Sequence, residues 1–93
     1  AGLIEKIRRI ASYREVVTLT RLDSMLCIPQ WAKEMPKRGL MNIDPPYFAK
    51  GQGLYTNFYT GSDHKELSVM IRRLKCPWML TYDDVEDIER LYK

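Results

Sequence analysis

The sequence predicts an α/β fold built on a mostly parallel sheet, and three observations carry that expectation. Three β-branched or apolar runs, VVTLTRL (16–22), LMNI (40–43) and WMLTY (78–82), read as strands. Between and around them, apolar residues recur at helical spacing. Each run also stops on acid, at Asp23, Asp44 and the Asp83–Asp84 pair. Strands that alternate with helices imply parallel pairing through right-handed crossovers.

The elements follow in order. Leu3, Ile4, Ile7, Ile10 and Ala11 recur around Glu5, Lys6, Arg8 and Arg9, which predicts an amphipathic helix of about three turns. The 16–22 strand comes next, closed by Asp23 and Ser24. Residues 24–28 allow a short helical turn, while Pro29 and Pro36 predict mostly loop over 29–39, ending at Gly39. The 40–43 strand stops at Asp44, because Pro45 and Pro46 lack the N–H groups a central strand donates.

Residues 45–62 carry no helical periodicity and are rich in Gly, Tyr and Phe, so they read as a long, functional loop. Asp63 with Glu66 resembles a capping pair for a helix carrying Leu67, Met70, Ile71 and Leu74. Pro77 ends that helix. After the 78–82 strand, a last helix starts at Asp84 and buries Val85, Ile88, Leu91 and Tyr92.

Composition sets the outer bounds. The 93 residues, 45% hydrophobic and 29% charged, suit one globular domain over 1–93. The chain has no apolar run of the ~18 residues a membrane span needs and no signal peptide, so a cytoplasmic location is expected. Cys27 and Cys76 lack ligand spacing and favour free thiols, with a disulfide left open. His64 has no second His or Cys at ligand spacing, so no metal is expected. A formal charge of +3 permits contact with nucleic acid without requiring it. Basic residues gather at Lys6–Arg9, Lys33–Arg38 and Arg72–Lys75, each of which also reads as an ordinary solvated face.

The segment with the most chemistry is Asp44-Pro45-Pro46-Tyr47. In open α/β sheets, ligands sit beyond the carboxyl ends of the strands. Two prolines make the turn stiff and leave the Pro45 carbonyl as a free acceptor beside the Asp44 carboxylate. Tyr47 adds a flat face. A planar ring bearing an –NH2 group fits such a site, held by both amine hydrogens and stacked on the tyrosine. The plain alternative is a rigid turn in which Asp44 caps a helix and Tyr47 packs inside. The other strand-end acids also suit helix caps, Asp84 above all.

The stretch NIDPPYFAKGQGLYTNFYTGSDHKELSVMIRRLKCPWMLTYDD resembles the catalytic half of adenine-specific DNA methyltransferases of the deoxyadenosine methylase type. In that family, Asp-Pro-Pro-Tyr ends the fourth strand of a Rossmann-like sheet. A loop with a Thr-Asn-aromatic element follows, matched by Thr56-Asn57-Phe58, then a helix and a fifth strand. VTLTRLDSM looks like the third strand and the turn after it. The resemblance covers nearly the whole chain from about residue 3. It implies a partial Rossmann-like methyltransferase sheet, with strands equivalent to the third, fourth and fifth.

It also implies a reaction: transfer of a methyl group from S-adenosylmethionine to the exocyclic amine of adenine in DNA. Asp44, Pro45, Pro46 and Tyr47 would be the catalytic set, and Asp44 and Asp23 would lie toward the cofactor. Tyr47, Lys50, Tyr55, Asn57 and Phe58 would meet DNA or the flipped base. Tyr55, Phe58 and Tyr59 read equally well as loop packing. The family's glycine-rich cofactor loop and ribose-binding acid have no counterpart in the sequence, since Gly51-Gln52-Gly53 follows a strand-ending motif.

The chain therefore reads as the C-terminal catalytic portion of such an enzyme, inactive alone, with an upstream segment as its natural partner. Self-association through exposed sheet edges is expected. The alternative is a non-catalytic nucleic-acid-binding or small interaction domain derived from such an enzyme.

Overall fold

The computed structural model describes residues 2–50 and 59–93. Its elements are α1 (Leu3–Ala11), α2 (Ser24–Glu34), β1 (Met41–Ile43), α3 (Gly61–Arg72), β2 (Trp78–Leu80) and α4 (Glu86–Tyr92). β1 and β2 pair in parallel, with Met41 opposite Trp78, Asn42 opposite Met79 and Ile43 opposite Leu80. The protein is thus loosely α/β, mostly helical around a two-stranded parallel sheet.

Side-chain alternation explains how the sheet acquires its cover. Met41 and Ile43 are buried while Asn42 between them is exposed, the period-two pattern of a strand with one face on a core. Ile28 from α2 and Leu67 and Ile71 from α3 complete that core. Leu67 and Ile71 retain 1% and 0% exposure. Each such burial stabilises by roughly 1.5–3 kcal/mol relative to exposure.

Four expectations are corrected. First, no strand forms over 16–22: residues 12–16 are turn and 17–23 have no regular structure. Val16 and Leu19 stand 81% and 93% exposed. An extended, β-branched segment becomes a strand only where a neighbour accepts its hydrogen bonds, and none does so here among the described residues.

Second, residues 29–34 continue α2 instead of forming loop, with Pro29 inside the helix. Pro29 cannot donate to the carbonyl one turn back, at a cost of roughly 3 kcal/mol. Burial of Cys27 and Ile28 on the helix's inner face works against that cost. The chain then turns through a Gly39 N–H to Pro36 carbonyl bond of 2.8 Å. A Cβ at Gly39 would overlap the Met35 thioether, so a larger residue here requires that flexible side chain to move.

Third, α3 starts earlier than the Asp63–Glu66 pair indicates. Thr60 is its N-cap, accepting from the Asp63 N–H, and Asp63 accepts in return from the Thr60 N–H at 2.8 Å. Glu66 takes no part in this capping box. Fourth, α4 begins at Glu86, and its N-cap, Val85, makes no side-chain bond, so Asp84 caps nothing. Glu86, Asp87 and Glu89 in its first turn face the positive helix end instead.

Among the described residues, no helix is long and apolar enough to cross a membrane. Both cysteines are free thiols.

Candidate functional site

β1 delivers Asp44 to the carboxyl end of the sheet, as the sequence predicts. The register that pairs Ile43 with Leu80 brings the next residues, Asp44 and Thr81, side by side. The Thr81 hydroxyl donates to Asp44 Oδ1 at 2.6 Å. Asp44 is exposed, and Oδ2 makes no bond among the described residues. Asp44 caps no helix. Pro45 is buried and Pro46 half-buried, and the Pro45 carbonyl accepts no backbone hydrogen bond among the described residues. Tyr47 is half-buried.

The turn after the prolines is held from the segment that follows β2. Asp83 accepts from the Phe48 N–H at 2.8 Å through Oδ1 and from the Ala49 N–H at 2.9 Å through Oδ2. Burial alone would raise the Asp83 pKa. The N–H groups of Ala49 and Phe48 outweigh it and hold the carboxyl below its ordinary value. A carboxylate that accepts two backbone hydrogens is a stiff anchor, so the Pro-Pro turn is fixed at both ends. The sequence marks Asp83 only as a strand-ending acid; its use here depends on strand adjacency.

A hollow of about 250 Å³ opens beside the motif, lined by Asp44, Pro45, Pro46, Asn42, Ser24 and Tyr59 over Ile28, Ile43 and Leu67. This is smaller than the ~300–1,000 Å³ of sites for drug-sized ligands, and Tyr47 is not part of its lining. Ser24 and Tyr59 close one wall through a 2.6 Å hydroxyl–hydroxyl bond. The sequence offers no sign of that pairing.

His64, expected only as part of the start of α3, is buried at 1% exposure under the same loop. Its ring lies 5.1 Å from Phe48, 5.4 Å from Tyr59 and 5.3 Å from Tyr82, centroid to centroid. Nδ1 is 2.6 Å from the Tyr82 hydroxyl. Burial pushes the His64 pKa down, against the opposing pull of Asp63 and Asp83. Burial pushes the Tyr82 phenol up, helped by neighbouring tyrosines. Both shifts favour the neutral forms, a protonated phenol beside an uncharged imidazole. Nε2 is buried with no hydrogen-bond partner among the described residues.

The remaining expected residues lie apart from this cluster or outside it. Asp23 Oδ1 accepts from the Met25 N–H at 2.9 Å, which makes it the N-cap of α2. Lys50 is exposed. Tyr55, Asn57 and Phe58 lie outside the described residues. The structure does unite two of the basic clusters. Lys33 from α2 and Arg73 and Lys75, beyond α3, line one groove of about 700 Å³ with Glu66, over Ala32, Val69, Met70 and Leu74. No group of three or more His, Cys, Asp or Glu side chains able to hold a metal occurs among the described residues.

No known protein-family model matches the chain, and neither the curated proteins nor the solved structures contain a match to it.

Proposed function

We propose that this chain supplies the base-binding motif for S-adenosylmethionine-dependent methylation of the exocyclic amine of adenine in DNA. The observation that carries the reading is a pair of acceptors on a stapled turn, Asp44 Oδ2 and the Pro45 carbonyl, to which no described residue donates. Thr81 fixes the carboxylate and Asp83 fixes the far side of the turn. Acceptors held in advance are worth more than acceptors that must be ordered at the moment of reaction.

The adenine amine is a poor nucleophile because its lone pair is delocalised into the ring. With one hydrogen on Asp44 and the other on the Pro45 carbonyl, the nitrogen is drawn toward tetrahedral geometry and the lone pair is freed. Asp44 orients the amine and afterwards takes up the proton it loses. Tyr47 stacks on a base that has left the duplex.

The methyl donor is a different matter. Asp23, the acid expected to lie toward the cofactor, is spent on capping α2, and the described residues form no glycine-rich cradle. The base side of the site is present among the described residues and the donor side is not, so the 93 residues alone transfer no methyl group.

Binding of single-stranded oligonucleotides carrying one adenine or one hypoxanthine tests the base-side claim. Hypoxanthine presents a carbonyl where adenine presents an amine, so it faces two acceptors with no hydrogen to give. Adenine should bind at least about tenfold more tightly, a preference that Asp44→Ala removes. Equal affinity for the two bases, or a preference that survives Asp44→Ala, would sink the reading. Transfer of labelled methyl to DNA by the chain alone would overturn the claim about the donor.

The convergence of Lys33, Arg73 and Lys75 on one groove favours a second reading, a non-catalytic nucleic-acid-binding module. Base-indifferent DNA binding that ignores Asp44→Ala but falls with Arg73→Glu would select it.

A further inference from the structure

Among the described residues, the N-terminal arm is the least covered. No residue of α1 is buried. Leu3, Ile4, Ile7 and Ile10 share one face at 73%, 66%, 56% and 66% exposure. A folded monomer of this mass exposes about 5,600 Å² on the usual surface–mass relation. This chain exposes 8123 Å², an excess of about 2,500 Å² over that relation. The radius of gyration agrees, at 15.6 Å against about 12 Å for a compact chain of this length.

Charge identifies what fits the exposed face. On the helical wheel of α1, Lys6 and Arg8 flank the apolar stripe, and neither makes an ion pair among the described residues. Two α1 helices laid face to face would bring these cations together, so α1 is a poor partner for itself. The complementary surface lies at the other end of the chain. Trp78, Leu80, Val85 and Tyr92 wall a hollow of about 400 Å³, with Asp84 and Glu89 among its lining. Asp84 is exposed, and Glu89 holds only a loose surface contact of 3.8 Å to Lys93, which docking replaces at little cost.

We propose that α1 of one chain docks, apolar stripe inward, into the acid-rimmed hollow between β2 and α4 of a second copy, and that the exchange is reciprocal. The contact is heterologous in each half, α1 on α4, and closes only because a two-fold axis repeats it. Two such contacts that remove half of each chain's excess bury about 2,500 Å², above the ~1,600 Å² of a standard interface. The association thus runs through the helical arm, whereas the sequence predicts it through bare strand edges. It stands independently of the methyltransferase reading.

Sedimentation equilibrium on the 93-residue chain tests it, with circular dichroism to confirm that each variant keeps its helices. The native chain should sediment at twice its mass at micromolar concentration. Ile7→Asp places a charge at the centre of the stripe and should yield a monomer. Lys6→Glu with Arg8→Glu should weaken the dimer at least about tenfold, as should Asp84→Lys with Glu89→Lys. All four substitutions together should restore it, because the charges are then exchanged across the same contact. A native chain that stays monomeric overturns the proposal. So does a dimer indifferent to Ile7→Asp, or a fourfold variant no tighter than either pair.

Discussion

Residues 2–23 and residues 24–93 use the same vocabulary to opposite effect. α1 carries an apolar stripe at helical spacing, and so does α3, yet Ile7 stands 56% exposed while Ile71 is fully buried. VVTLTRL has stronger strand character than LMNI, but only the latter forms a strand. The difference lies in the neighbours. β1 has β2 to take its hydrogen bonds and α2 and α3 to cover one face. The arm has neither within the described chain, so its pattern specifies a face and leaves the cover to be supplied. Local periodicity determines which side of an element is sticky. It does not determine what the side sticks to.

The largest test of that contrast is a matched pair of truncations. Leu67→Ala removes a side chain that is 1% exposed, and should cost about 2–5 kcal/mol in urea unfolding. Leu19→Ala removes one that is 93% exposed, and should change stability by less than about 0.5 kcal/mol. If both cost the same, the arm is not separate from the body.

A second test uses pH, since the sequence holds a single histidine. Burial holds the His64 pKa below its ordinary 6.5. Between the folded value and 6.5 the unfolded chain binds the extra proton, so its protonation favours unfolding. Stability from this group is complete above 6.5 and is lost as pH falls from there through the folded value. The urea midpoint should drop across that window, and His64→Leu should flatten the dependence. The carboxylates Asp63 and Asp83 are held low, so their contribution is lost only at more acid pH, below the ordinary carboxylate value. An unchanged slope in His64→Leu would remove the buried imidazole from the account.

The smallest effect concerns the caps. Thr60→Ala breaks the capping box of α3, which anchors the core, and should cost about 1 kcal/mol. Glu66→Ala should be nearly neutral, because the cap lies at Thr60 and Asp63. The reverse ranking by thermal melting would restore the pairing that the sequence favours.

Several features of the site are legible from residue order. Two prolines stop β1 after Asp44, and the carboxylate does reach the carboxyl end of the strand. The helix over Leu67–Ile71 and the parallel pairing of the strands around it follow from spacing and alternation. Other features are not legible, for identifiable reasons. Asp83 looks like Asp84 in sequence, but only Asp83 meets the Phe48 and Ala49 N–H groups. Asp23 looks like a ligand-facing acid and is a helix cap. His64 looks like a polar residue near a helix start, and three aromatic rings enclose it.

Residue order is enough to mark α1, α3 and α4 as helical, to show where prolines end a strand, and to set Asp44, Pro45 and Tyr47 on one stiff turn. These are properties of bonds and near neighbours, set within a few residues. Tertiary contacts fix which acid staples the turn, that His64 is desolvated and which apolar run becomes a strand. Those outcomes depend on groups 35 residues apart, as between Phe48 and Asp83, brought together by strand register and burial.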